Sequence, residues 1–254
     1  MLKRRIIPVQ LLIDGRLVKT VRFGAYRDVG DPVASSKVYN AQNADELVFL
    51  NISRAERSVE PMLRLLERVS EEVFMPLALG GGIRSVDDAS RLIRAGADKV
   101  VVNSAAYRDP ELLRGIADRF GAQAVVVSVD VRREGEGGEY VLYSDCGRRR
   151  EEAGLDEHVE RVVEHGAGEI LVNSIDRDGT MEGYDLGLIR RVVAHSPAPV
   201  IGCGGAGHYN HLKEAFLEAG ASALACGSLF NFGDSNPIRA KAFLTNYGIP
   251  FKVV

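Results

Sequence analysis

Three kinds of residue in this chain could do chemistry. Asp130 closes the apolar run 124–129 and is followed by another apolar residue, so its carboxyl belongs at the rim of a buried strand, where it can act as a general acid or base. Two Gly-Gly pairs, Gly81-Gly82 and Gly204-Gly205, each sit between an apolar run and a stretch of helical period. Such a turn aims backbone N–H groups at a ligand, lacks Cβ atoms that would hinder approach, and places an anion at a helix N-terminus. One apolar run later come Asn103-Ser104 and Gly227-Ser228, whose hydroxyls can donate to phosphate. Two such sets point to a long ligand carrying phosphate at both ends. The segment Asn173-Ser-Ile-Asp-Arg-Asp-Gly179 adds Asp176 and Asp178, either of which could serve chemistry or simply close an Asx turn. Lys19 could hold an anionic substrate or be an ordinary exposed lysine.

A further constellation is charged. Arg5, Glu46, Lys99 and Glu169 each immediately precede an apolar run. If those runs are parallel strands, all four residues lie at one end, opposite Asp130. They would form either a stabilising plug or a gate. His208 and His211 have no third ligand nearby, so no metal site is expected, and no motif calls for a cofactor.

The positioning elements follow from the pattern. Apolar runs at 6–13, 47–52, 77–79, 100–102, 124–129, 170–172, 200–201 and 223–225 alternate with amphipathic stretches, of which 85–95 and 109–120 are clearest, each opening on a capping-type residue. Eight βα units across 254 residues predict a single (β/α)8 barrel spanning 1–254. Long connections follow the first strand (14–30) and the fifth (131–150), and the latter has the pattern of a small hairpin. The chain also repeats itself: Gly81 and Gly204, like Glu46 and Glu169, are 123 positions apart, as 204−81 and 169−46 show, which predicts two related half-barrels.

Bulk properties narrow the class. A formal net charge of −3 argues against nucleic acid as a general partner, and the basic clusters 3–5 and 148–150 are short enough to be solvated surface. Three cysteines without a paired framework fit a reducing, cytoplasmic setting. The N-terminal apolar run, interrupted by Pro8 and Gln10, reads as a first strand rather than a secretory signal, and no run is long enough to span a membrane.

These motifs carry a resemblance. Arg5-Ile-Ile-Pro8, Asp14-Gly15 with Lys19, Gly80-Gly-Gly-Ile-Arg-Ser85, Asp176-Arg-Asp-Gly-Thr180 and Gly204-Gly-Ala-Gly207 are similar to the cyclase subunit of the imidazole glycerol phosphate synthase family, and the likeness covers nearly the whole chain. It implies a glutaminase docked on the N-terminal face, ammonia passing Arg5, Glu46, Lys99 and Glu169 into the barrel, and attack on a phosphoribulosyl aminoimidazole ribonucleotide at the other face. It assigns catalytic roles to Lys19, Asp130 and Asp178, and substrate or phosphate contacts to Gly81, Gly82, Asn103, Ser104, Asn173, Gly179, Gly204, Gly205, Gly227 and Ser228. One departure matters most. The family's first-strand catalytic Asp is Leu11 here, and leucine transfers no proton. Asn51 replaces an Asp, Asn173 a Thr and Cys203 a Ser. The pattern resembles a paralogous branch associated with amidation of nucleotide-linked sugars in surface-polysaccharide synthesis, in which a separate sugar amidotransferase uses the ammonia. A true cyclase and a non-catalytic activator of the glutaminase are the alternatives.

Overall fold

The computed structural model describes residues 3–252, so the outermost positions of the expected 1–254 unit lie outside the described residues. Its strands are β1 (Arg5–Ile13), β2 (Arg16–Thr20), β3 (Tyr26–Gly30), β4 (Leu47–Asn51), β5 (Leu77–Gly80), β6 (Lys99–Val102), β7 (Val125–Glu134), β8 (Glu139–Ser144), β9 (Arg149–Arg150), β10 (Glu169–Ser174), β11 (Val200–Cys203) and β12 (Ala223–Cys226). The helices are α1 (Pro32–Ala41), α2 (Glu60–Val69), α3 (Val86–Arg94), α4 (Ser104–Arg108), α5 (Glu111–Phe120), α6 (Leu155–Glu164), α7 (Leu186–His195), α8 (Tyr209–Leu217), α9 (Ser228–Asn231) and α10 (Pro237–Thr245).

Eight strands pair in parallel in the order β1-β4-β5-β6-β7-β10-β11-β12, and β12 returns to β1, which closes the barrel. This is the expected (β/α)8 fold. All eight predicted runs became barrel strands, because continuous apolar sequence suits a strand buried on both faces. Alternate residues split the core in two. Ile7, Val9, Val48, Ala78, Val101, Val126, Leu171, Ile201, Ala223 and Ala225 fill the barrel interior, while a larger cluster, with Ile6, Leu47, Phe49 and Leu79 among it, packs the strands against the helices.

Local chemistry explains the helix starts. Ser85 caps α3 through a reciprocal capping box with Asp88. The expected start of the next helix at Asp109 is corrected: α5 begins at Glu111 behind Pro110, with no side-chain cap. Proline presets a helical φ and needs no donor partner at that position. The 14–30 connection is a β-hairpin, β2 against β3, rather than an open loop. It turns away from β1 at Asp14-Gly15, both at positive φ, as a two-residue hairpin turn requires. The 131–150 connection is the predicted hairpin, built by β7 running on into β8.

The half-barrel repeat is visible in the backbone. Asn103, ahead of α4, has φ −123° and ψ −86°. Gly227, ahead of α9, has φ −106° and ψ −80°. The two matched turns share an unusual conformation.

Candidate active site

The residues that sequence reasoning singled out converge at the two ends of the barrel, and strand periodicity connects them. Side chains point inward at every second position, so Arg5 and Leu11 share one inward row of β1, Lys99 and Asn103 one row leaving β6, and Glu169 and Asn173 one row of β10.

At the N-terminal end the four charged residues form a closed ring. Arg5 donates to Glu46 at 2.7 Å and to Glu169 at 2.6 Å, and Lys99 Nζ donates to both glutamates at 2.8 Å. Glu46 is 2 % exposed, yet its Oε1 has no hydrogen-bond partner among the described residues.

At the opposite end lies a cavity of about 410 Å³ lined by Leu11, Lys19, Asp130, Asp178 and both Gly-Gly loops. Asp130 is buried there, with Asn103 Nδ2 at 3.2 Å and the Ser128 hydroxyl at 3.3 Å. Burial pushes its pKa up to about 7; the Ser128 hydrogen bond opposes the rise and the Asp178 charge adds to it. The carboxyl can therefore give or take a proton near neutrality. Lys19 is not the exposed lysine that was one expectation: it is 6 % exposed, and its Nζ donates to Asp178 Oδ1 at 2.7 Å. Thr20 Oγ1 donates to the other oxygen of Asp178 at 2.8 Å. The two aspartates of the 173–179 turn thus separate. Asp178 faces the cavity, whereas Asp176 accepts the Arg133 N–H at 2.7 Å and braces a neighbouring strand.

The glycines are needed for a reason beyond the one the sequence suggests. Gly81, Gly82, Gly204 and Gly205 all have φ between +85° and +108°. A Cβ on any of them would overlap the protein's own backbone, at Asn51, Ser58, Ser174 and Gly183 respectively. Each loop is pressed against the preceding one, and that packing leaves the backbone at the cavity wall. Gly227 makes room for Lys19: a Cβ there would lie 3.0 Å from Lys19 Cε. Gly179 also lines the cavity. Ser228 and Asn173 are buried, and Ser228 Oγ and Asn173 Oδ1 lack hydrogen-bond partners among the described residues. The Ser104 hydroxyl is already engaged, accepting the Asp145 N–H at 3.1 Å.

Known proteins share this arrangement of sequence. Residues 5–236 match the family described as "Histidine biosynthesis protein". The chain is 47 % identical over 248 residues to "Imidazole glycerol phosphate synthase subunit HisF" of Streptomyces avermitilis, covering 98 % of each chain. The chain belongs to the HisF-like family. Within this HisF-like barrel, Leu11 packs partly buried on top of the interior apolar cluster, at the inward position of β1. β1 and β7 are four strands apart in a ring of eight, so Leu11 faces Asp130 from the opposite wall. The thiol of Cys203, pushed well above its ordinary pKa by burial, is no substitute acid.

Sequence reasoning missed the role of Asn51. Its Nδ2 donates to the Glu56 carbonyl at 2.9 Å, and its Oδ1 accepts the Ser53 N–H at 3.0 Å. A carboxylate could not make the first bond, so the amide closes its own loop. The signal was the change from Asp to Asn, but its partners could be named only from coordinates. His208 caps α8 and His211 accepts the Gly207 N–H. Among the described residues no cluster of metal-binding side chains occurs, and no helix is long and apolar enough to cross a membrane.

Proposed function

We propose that this HisF-like barrel accepts ammonia from a glutaminase at its N-terminal face and passes it to an amidation for which a nucleotide-linked sugar is the acceptor. Leu11 carries the reading. A cyclase needs one carboxyl as acid while another acts as base, and here the inward position of β1 that faces Asp130 carries an aliphatic side chain. The parts that serve ammonia and anions are kept. The ring of Arg5, Glu46, Lys99 and Glu169 lies against an apolar interior of Ile7, Val101 and Leu171, an environment that favours passage of a neutral molecule over an ion. Phe74, 84 % exposed, stands beside Arg5 and Glu169 in a concavity on that face, and a docked subunit would cover it. At the other face Gly81, Gly82, Asn103 and Ser104 form one phosphate site, and Gly179, Gly204, Gly205, Gly227 and Ser228 the other, with Asn173, Lys19, Asp130 and Asp178 between them. The unpartnered Ser228 hydroxyl favours a ligand that accepts from it.

An alternative reading, a true cyclase of histidine biosynthesis, draws on one observation: an Asp130 carboxyl poised near pH 7 could act first as base and then as acid. Ammonia-dependent turnover of the aminoimidazole ribonucleotide, at high ammonium and without a partner, separates the two. Under the amidation reading the natural chain is silent and Leu11→Asp gains activity, because one proton-transfer group contributes a factor of about 10²–10⁴. Robust turnover by the natural chain would establish the cyclase. Silence from both would leave the cyclase reading with little support, and stimulation of glutamine hydrolysis without ammonia transfer would then mark a barrel that acts only on its glutaminase.

A further inference from the structure

The rim of the cavity is not symmetric. Five arginines line it, namely Arg54, Arg57, Arg84, Arg108 and Arg148, and all stand around the Gly81-Gly82 and Asn103-Ser104 loops. Around the matching loops of the other half-barrel no arginine among the described residues lines the cavity. The internal repeat sharpens the contrast at two positions, whereas at Arg54 the same offset gives Arg177, which packs beside Gly205 and pairs with Glu182 at 3.7 Å. Gly207 takes the place of Arg84, at the offset that relates Gly81 to Gly204, and Phe232 takes the place of Arg108, at the offset that relates Ser104 to Ser228.

Most of this charge is uncompensated. Arg57 pairs with Asp145 at 2.9 Å. Arg54, Arg84, Arg108 and Arg148 are exposed and have no carboxylate partner among the described residues. They come from four separate segments: the connections after β4 and β5, the last residue of α4, and the turn between β8 and β9. Of the carboxylates lining the cavity, Asp109 at the rim and the buried Asp130 beneath it are without a cation partner among the described residues. Four guanidinium groups against these two carboxylates leave a net excess of positive charge beside a loop whose own N–H groups suit a single phosphate. Guanidinium forks match phosphate oxygens two at a time, and four of them unpaired at one rim raise a local positive potential that favours a polyanion.

We infer that this half of the mouth binds a diphosphate group, the inner phosphate on the Gly81-Gly82 and Asn103-Ser104 loops and the outer one among Arg54, Arg84, Arg108 and Arg148, whereas the opposite half takes a single phosphate. The inference rests on the phosphate reading of the loops proposed above. It names the substrate class as a diphosphate ester whose charge is concentrated at one end.

Calorimetric titration of the full chain with orthophosphate, inorganic diphosphate and a set of nucleoside diphosphates tests it. Diphosphate should bind at least about tenfold more tightly than orthophosphate, because each added charge-assisted contact corresponds to roughly tenfold or more in affinity. In the double variant Arg84→Gln/Arg108→Gln that advantage should fall by about tenfold or more while orthophosphate affinity changes less than about threefold. Arg119→Gln, at the far end of α5, should alter neither. A nucleoside diphosphate that binds more tightly than diphosphate would support the site and identify the ligand as a nucleotide; one that binds no more tightly would support it with recognition confined to the phosphates. Equal affinities for orthophosphate and diphosphate, or an undiminished advantage in the double variant, would overturn the inference and leave the loop reading standing. If neither anion bound, both would fall together.

Discussion

Replacing Asp130 by asparagine should make the protein more stable at alkaline pH and hardly change it in acid. The folded chain keeps the Asp130 proton to about pH 7, while the unfolded chain releases it near the ordinary 3.8. Between those values the folded state holds more protons, so stability falls as pH rises through the window, and above pH 7 the full penalty is present. A shift of about three units at 1.36 kcal/mol each sets an upper bound of about 4 kcal/mol, and contact with an open cavity brings the expected gain to about 2–4 kcal/mol. Asparagine is isosteric, its Oδ1 can accept from Asn103 Nδ2 while its Nδ2 donates to the Ser128 hydroxyl, and it has no charge to desolvate. Urea unfolding at pH 8.5 and 4.5, followed by circular dichroism and tyrosine fluorescence because the chain has no tryptophan, measures the difference directly. The gain of Asp130→Asn should shrink to about 1 kcal/mol at pH 4.5, where only the tail of the unfolded titration remains. A gap of the same size at both pH values, or a variant less stable than the natural chain at pH 8.5, would refute the idea that burial holds this carboxyl protonated. The same experiment bears on mechanism, since a group that costs stability and contributes little to packing is one retained for its proton.

Three further outcomes follow from the geometry. Lys99→Met leaves Glu46 and Glu169 sharing only Arg5, and should cost about 3–5 kcal/mol in denaturant unfolding; adding Glu46→Gln should recover part of that, because it removes the buried charge left unpaired. Gly82→Ala forces a Cβ into the Ser58 backbone at φ +85°, so it should lose about 2 kcal/mol or more and weaken orthophosphate binding at the same loop. Asn51→Asp, although it restores the residue type expected of the family, sets a carboxylate against the Glu56 carbonyl oxygen, and should cost about 1–3 kcal/mol near neutral pH and less in acid, where the carboxyl can donate.

What could be read from the sequence was whatever a single strand or loop decides by itself. Eight buried strands announce themselves as apolar runs, and the half-barrel repeat survives as matched Gly-Gly pairs. The ring was legible because Arg5, Glu46, Lys99 and Glu169 all occupy the same place relative to their strands, and closure of the barrel turns a common register into contact. Lys19 was named by the resemblance, but its burial and its pairing were not legible in the residues. Its partner Asp178 is 159 positions away, and an isolated lysine on a predicted connection gives no sign that a hairpin will fold it inward. The glycines show the limit from the other side. Their positions were read correctly, but the reason was incomplete, because the atoms a Cβ would strike belong to neighbouring loops.

The arginine rim belongs to the same class as Lys19, and it bears on what Leu11 means. A barrel that had merely lost its first-strand acid and drifted would have no reason to keep four uncompensated guanidinium groups around one phosphate loop. Exposed arginines without partners add little to stability, and their mutual repulsion subtracts from it. The rim is asymmetric while the backbone beneath it takes nearly the same conformation at Asn103 and Gly227. The charge at the cavity therefore lies on one half of a two-fold scaffold and is not dictated by the backbone. Under the amidation reading proposed above, the leucine facing Asp130 and the charge on one side of the mouth are two features of the same cavity, and together they favour a site fitted to another anion over the cyclase alternative.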